Sequence, residues 1–156
     1  MVLSFFQILE YPSRVMTEIC LVRHGETEWN RLRRTQGSSD IPLNESGRRQ
    51  ARCTGTYLRR FSWDAIYASP LSRALETAEI IGARLDVEAA PHTIHLDADL
   101  AERGYGVAEG LTIDERKARF RDKDAIPDAE SWASVRRRGI AAIDRIAAAN
   151  PGRRVI

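Results

Sequence analysis

A chain of 156 residues has the length of one domain and can bury about two-thirds of its unfolded surface. With 43% hydrophobic and 29% charged residues it falls in the ordinary globular range, which excludes a disordered chain. A net charge of +2 gives no argument for a nucleic-acid partner, and no apolar run approaches the roughly 18 residues that a membrane helix requires.

Residues 1–15 contain an apolar run (Val2, Leu3, Phe5, Phe6, Ile8, Leu9) broken by Ser4 and Gln7, without the basic start or small-residue cleavage site of a signal peptide. Met16 reads as a natural start, so residues 1–15 are expected to be an extension outside the fold and residues 16–156 to be the domain. Residues 17–22 form a short apolar run that ends at Arg23-His24-Gly25, the pattern of a buried strand feeding a glycine loop. Cys20 lies in that run as a small core residue; neither it nor Cys53 has metal-ligand spacing, and a reducing, cytoplasmic setting fits.

The polar stretch 31–42 is a loop. Asn44 can accept from the free N–H groups of a first helical turn, and a helix is expected over 45–60 with Ala51, Gly55, Leu58 and Phe61 on one face. Residues 63–68 read as a strand, leading through Ser69-Pro70 into a helix over 72–85 with apolar positions at Leu75, Ala78, Ile81 and Ala83. A weak strand at 93–96, a glycine-punctuated loop at 101–110 and a charged helix at 112–121 follow. The strongest helical pattern covers 131–149, with Val135, Gly139, Ala142, Ile143 and Ile146 in one stripe, and stops at Asn150-Pro151-Gly152. Residues 153–156 begin another strand. The alternation of strands and helices predicts a three-layer α/β/α sandwich with a mostly parallel sheet.

Three segments carry chemistry. His24, with Arg23 beside it, would emerge from the carboxyl end of a strand, where ligands gather in open α/β sheets. Imidazole is a competent nucleophile when one ring nitrogen is held as acceptor, and an adjacent guanidinium can pin a phosphate. Taken alone, the tripeptide reads most simply as a surface Arg-His pair in a turn. The segment Ser69-Pro70-Leu71-Ser72-Arg73 adds a second arginine at a strand-to-helix junction, where free N–H groups favour anions. In the third, 100–110, a carboxyl group near phosphate would be held protonated by like charge and could protonate a leaving alkoxide. Glu102 is the first candidate and Glu109 the second.

Together the blocks L-V-R-H-G-E-T-E-W-N (21–30), T-Q-G-S-S-D-I-P-L-N-E-S-G-R-R-Q-A (35–51), S-P-L-S-R-A-L-E-T-A (69–78) and L-A-E-R-G-Y-G-V-A-E-G (100–110) resemble the histidine phosphatase superfamily, the phosphoglycerate-mutase-like proteins. The resemblance spans about 17–156. It implies a phosphoglycerate-mutase-like fold and a phosphohistidine formed on His24. Arg23 and Arg73 would clamp the phosphate, Glu102 would serve as general acid and base, and Asn30, Gln36 and Gly37 would line the pocket. It implies neither metal nor cofactor, and a small phosphorylated metabolite as substrate. Glu102-Arg103-Gly104-Tyr105-Gly106 and the short interval to the last helix favour a phosphatase over a mutase of the phosphoglycerate type. Members of the family also carry a second catalytic histidine in a later strand. The three histidines here are His24, His92 and His95, and the latter two precede Glu102. The chain is therefore expected to be a truncated form, strongly impaired as a catalyst, and a non-catalytic binding role is the alternative from another class.

Overall fold

A computed structural model describes the backbone of residues 6–9 and, in full, residues 16–85, 93–122 and 125–156. Strand β1 is Phe6–Leu9 and β2 is Thr17–Cys20. A single-turn helix α1, Glu28–Arg31, precedes α2, Glu45–Leu58. Then come β3, Ile66–Ala68, α3, Ser72–Leu85, and β4, Ile94–Leu96. Helix α4, Ile113–Arg119, α5, Trp132–Ala149, and the short β5, Arg154–Val155, complete the described chain.

The helices begin where side chains can take up their free N–H groups. Asn44 accepts from Gly47 N at 2.8 Å, as its sequence position predicts. Thr112 and Ser131 do the same for α4 and α5. The helix expected over 45–60 ends at Leu58, so Phe61 lies beyond it and is exposed. The glycine loop 101–110 contains a 3-10 turn at Gly106–Ala108, and a second one at Ala98–Leu100 precedes it. Helix α1 has no counterpart in the hydrophobic pattern. It is built by a polar capping box in which Thr27 and Asn30 satisfy each other's backbone N–H.

Strand β5 lies between β2 and β3. It pairs in parallel with β2 through Glu18↔Arg154 and Ile19↔Val155, and bridges to the other side at Ala65↔Val155. Ile156 N donates to Ala65 O, and Tyr67 N donates to Ile156 O. With β4 parallel to β3, the order is β4-β3-β5-β2-β1. The outermost β1 alone is antiparallel, in register Phe6↔Cys20 to Leu9↔Thr17. Residues 6–9, which lie within the segment expected to be an extension, pair with the open edge of β2. A β2 edge open on that side has unpaired backbone groups that a preceding segment can meet. His92 lies outside the described residues.

The strand period of two divides the core into two layers. Ile19 and Val155 face α5 and pack with Ala65, Ile146 and Ala147. Their neighbours Cys20 and Ile156 face the opposite way, with Leu58 of α2 and Ile81 of α3. Helices thus cover both faces, and the three-layer α/β/α arrangement follows. Burial raises the pKa of the Cys20 thiol, in keeping with a core residue. The far end of α5 is tied to β2 by Thr17, whose buried hydroxyl donates to Asn150 O at 2.7 Å.

One close approach fixes how β2's exit loop sits on α2. Gly25 and Gly47 meet backbone to backbone, and a Cβ on Gly47 would overlap the carbonyl of Glu26. Gly47→Ala should therefore cost about 2 kcal/mol, as overpacking does, and lower the melting temperature by roughly 4–8 °C for a chain of this size. Thermal denaturation followed by circular dichroism checks this.

Candidate active site

The loop after β2 delivers His24. Its Nδ1 lies 2.7 Å from Gly25 O. A carbonyl can only accept, so Nδ1 carries the hydrogen and Nε2 holds the free lone pair. Burial lowers the pKa of His24 below its usual value. The Gly25 bond and Glu102 oppose that shift, while Arg73 and Arg23 add to it. The ring is therefore neutral at physiological pH. Gly25 N in turn donates to Thr77 Oγ1 at 3.1 Å, which pins the loop to the middle of α3.

Arg23, His24, Arg73 and Glu102 line one cavity of about 290 Å³. Three of them sit at strand ends or the first turn of α3, so the sheet edge gathers them as the sequence predicts. Asn30 lines an adjoining cavity of about 770 Å³ that also reaches Arg23, His24 and Gly25. Its Oδ1 accepts from Thr27 N at 3.1 Å, which holds the side chain in place.

Gln36 and Gly37 line neither cavity. They stand behind Arg73 instead. With its amide turned to suit its neighbours, Gln36 donates to Thr27 Oγ1 at 2.5 Å and accepts from Arg73 Nε at 2.8 Å. Arg73 Nη2 donates to Gly37 O at 2.6 Å and Nη1 to Ser39 O at 2.9 Å. The residue is 1% exposed, yet a guanidinium has five N–H groups, so donor capacity remains. Burial lowers its pKa, and Glu102, Asp40 and Glu109 act the other way.

The free N–H groups expected at the start of α3 are less free than the sequence suggests. Ser72 N and Ser72 Oγ both donate to Asp40 Oδ1 at 2.7 Å. The helix terminus is accordingly already occupied by a carboxylate, while Arg73 and Arg23 line the cavity beside it.

Of the two candidate acids, Glu102 is exposed at the cavity, with Oε1 accepting from Arg103 N at 2.7 Å. Glu109 cannot play that part. Burial works to raise its pKa, but donors from Ser39, Tyr105 and Ser38 outweigh it and bring it to about 2. It is ionised and fully engaged.

The acid loop has an anchor that the hydrophobic pattern does not reveal. Arg138 of α5 donates to Asp99 O, Ala101 O and Glu102 O at 2.8, 2.6 and 3.3 Å. Glu130 holds Arg138 through two bonds of 2.8 Å. Arg138→Ala should therefore release the loop and lower turnover by about tenfold, the scale of a positioning loss, with only a modest rise in KM. Steady-state kinetics on a phosphomonoester checks this. The guanidinium carbon of the buried Arg103 lies over the Trp132 and Tyr105 rings, 4.4 and 5.2 Å from their centroids. Among the described residues, no three His, Cys, Asp or Glu side chains cluster so as to hold a metal ion, and no helix is long and apolar enough to cross a membrane.

Comparison with known proteins bears on this arrangement. The family model of the histidine phosphatase superfamily (branch 1) matches residues 19–156. The chain is 44% identical over 141 residues to the uncharacterised phosphatase PhoE of Bacillus subtilis (strain 168), covering 90% of this chain and 70% of PhoE. A phosphoserine phosphatase from Entamoeba histolytica, solved in complex with 3-phosphoglyceric acid, is 32% identical with a TM-score of 0.73, over 90% of this chain and 72% of that one. A phosphoglycerate mutase from Bacillus anthracis str. Sterne is 28% identical with a TM-score of 0.75, over 90% and 72%.

Proposed function

Since the chain belongs to the histidine phosphatase superfamily, we propose that it hydrolyses a small phosphomonoester through a phosphohistidine on His24. The observation that carries this reading is the His24 Nδ1–Gly25 O bond, which leaves a neutral ring with Nε2 free beside two arginines and a carboxyl group. In the first step Nε2 attacks phosphorus, the ester P–O bond breaks, and Glu102 gives its proton to the departing alkoxide. In the second, water attacks the phosphohistidine while Glu102 takes its proton, releasing phosphate and free His24. Arg23 and Arg73 balance the charge on the equatorial oxygens in both steps. Asn30's amide nitrogen reaches the same space.

Phosphatase and mutase chemistry share the first step and differ only in what accepts the phosphoryl group. Glu102 exposed to solvent, able to activate water, favours hydrolysis. Two free thiols, Cys20 and Cys53, support a reducing, cytoplasmic setting. The test is turnover of p-nitrophenyl phosphate and phosphoserine; absence of both hydrolysis and labelled His24 would leave a binding role.

The lowered His24 pKa sets the pH dependence. Protonated imidazole has no lone pair at Nε2, so activity falls on the acid side. kcat/KM should rise through an apparent pKa below 6.5 and level off by neutral pH. A pH–rate profile whose acid limb lies above 6.5 would contradict the buried, neutral ring. The same shift makes His24 destabilising in acid, since the unfolded chain takes up the proton first as pH drops below 6.5.

A further inference from the structure

Glu109 has no direct part in the reaction above, yet it is among the most heavily bonded side chains near the site. Its Oε1 accepts from Ser38 N at 2.8 Å, Ser38 Oγ at 2.9 Å and Tyr105 N at 3.0 Å. Its Oε2 accepts from Ser39 N at 2.6 Å and from Ser39 Oγ. Five donors on one carboxylate exceed its usual four lone-pair positions. Such convergence orders whatever carries the donors, here the short turn at 37–39.

That turn is also the seat of Arg73. The two carbonyls that receive the guanidinium, Gly37 O and Ser39 O, belong to the residues flanking Ser38. Each of residues 38 and 39 turns its N–H toward Glu109, while the carbonyls at 37 and 39 point to Arg73. The turn is thus a two-sided connector with an anion on one face and a cation on the other. Gly37 sits tight against the Glu109 side, since a Cβ there would overlap both Arg103 O and Glu109 Oε1.

We propose that Glu109 is a positioning residue that fixes the Arg73 guanidinium, and with it the phosphate site, through the turn at 37–39. Glu109 need not touch substrate for this. Its charge also attracts Arg73 through space, in the same sense as the bonded route. Without the carboxylate, Ser38 N and Ser39 N lose their acceptor and the turn can rotate, taking the carbonyls off Arg73. The consequence for phosphate binding rests on the reading of Arg73 as a clamp; the consequence for Arg73's mobility does not.

The test uses the full chain with Glu109→Gln, Ser39→Ala and Arg73→Ala, and the double variant Glu109→Gln/Arg73→Ala. Exchange of the Arg73 guanidinium protons with water is followed by nitrogen-15 NMR, and binding of inorganic phosphate by calorimetry. Glu109→Gln should speed Arg73 exchange and weaken phosphate binding, each by about tenfold, with Ser39→Ala between it and the parent. Arg138, whose partners lie elsewhere, should keep its exchange rate, which a general loosening would not allow. In the Arg73→Ala background the further change in phosphate affinity should be under twofold. Unchanged Arg73 exchange, or fully additive losses in the double variant, would overturn the proposal. If the parent binds no phosphate, the phosphatase reading falls while the Arg73 exchange still decides the role of Glu109. If Glu109→Gln fails to fold, Ser39→Ala carries the same comparison.

Discussion

His24→Ala should remove turnover almost completely, by about 10⁴-fold or more, because no second imidazole is found among the described residues that line the cavity. The loss should fall on kcat, with phosphate affinity retained, since in the proposed mechanism the anion is held by Arg23 and Arg73 rather than by the imidazole. The parent, quenched during turnover, should carry an acid-labile, base-stable phosphoryl group on His24 that the variant lacks. Retention of the label in His24→Ala would move the nucleophile elsewhere. His95 is a poor alternative, because its ring stacks on Tyr67 at 4.9 Å, out on β4.

Glu102→Gln should separate the two halves of the reaction. For an alkyl ester such as phosphoserine, the departing alkoxide needs a proton, and its loss should slow turnover by about 100- to 1000-fold. For p-nitrophenyl phosphate the leaving group is stable as an anion, so the first step should be nearly unaffected. The second step still needs a base for water, so phosphohistidine should accumulate and a burst of p-nitrophenol should precede a slow steady state. Equal losses on both esters in the first step, read from the rate of the burst, would mean that Glu102 shapes the cavity rather than moving protons.

Much of this was legible in the sequence because it rests on local rules. The strand-to-loop junction at Arg23-His24-Gly25, the cap at Asn44 and the start of α3 before Arg73 each announce themselves within a few residues. The period-two alternation at Ile19 and Cys20 made both layers foreseeable. What stayed hidden depends on partners far apart in the chain. Arg138 sits in the run Arg136-Arg137-Arg138 on a polar helix face, and nothing local tells it from its neighbours. Its distinction comes from Glu130, one side of α5's start, and from carbonyls 36–39 positions upstream. Gln36 and Gly37 were expected in the pocket from the family resemblance alone; their bonds to Arg73 depend on how the 31–42 loop meets α3. Glu102 and Glu109 were ranked but not separated by the sequence; the donors of Ser38, Ser39 and Tyr105, which engage Glu109 alone, separate them. The pairing of Phe6–Leu9 with β2 was missed for a related reason: a run interrupted by Gln7 has no strand period strong enough to stand alone, and the β2 edge supplies what it lacks.

The attachment of the Glu102 loop to α5 has a further consequence. His24 follows a strand of the sheet, whereas the Glu102 loop is tied to the helix layer packed against it. The span between them is therefore a thickness, set by the side chains interleaved between strand and helix: Ile19 and Val155 on one side, Ile146 and Ala147 on the other. Close-packed interiors do not compress appreciably. In the proposed mechanism the core thus acts as a spacer gauge, and adding or removing a methyl group in it should reset the distance from Glu102 to His24 without altering either residue.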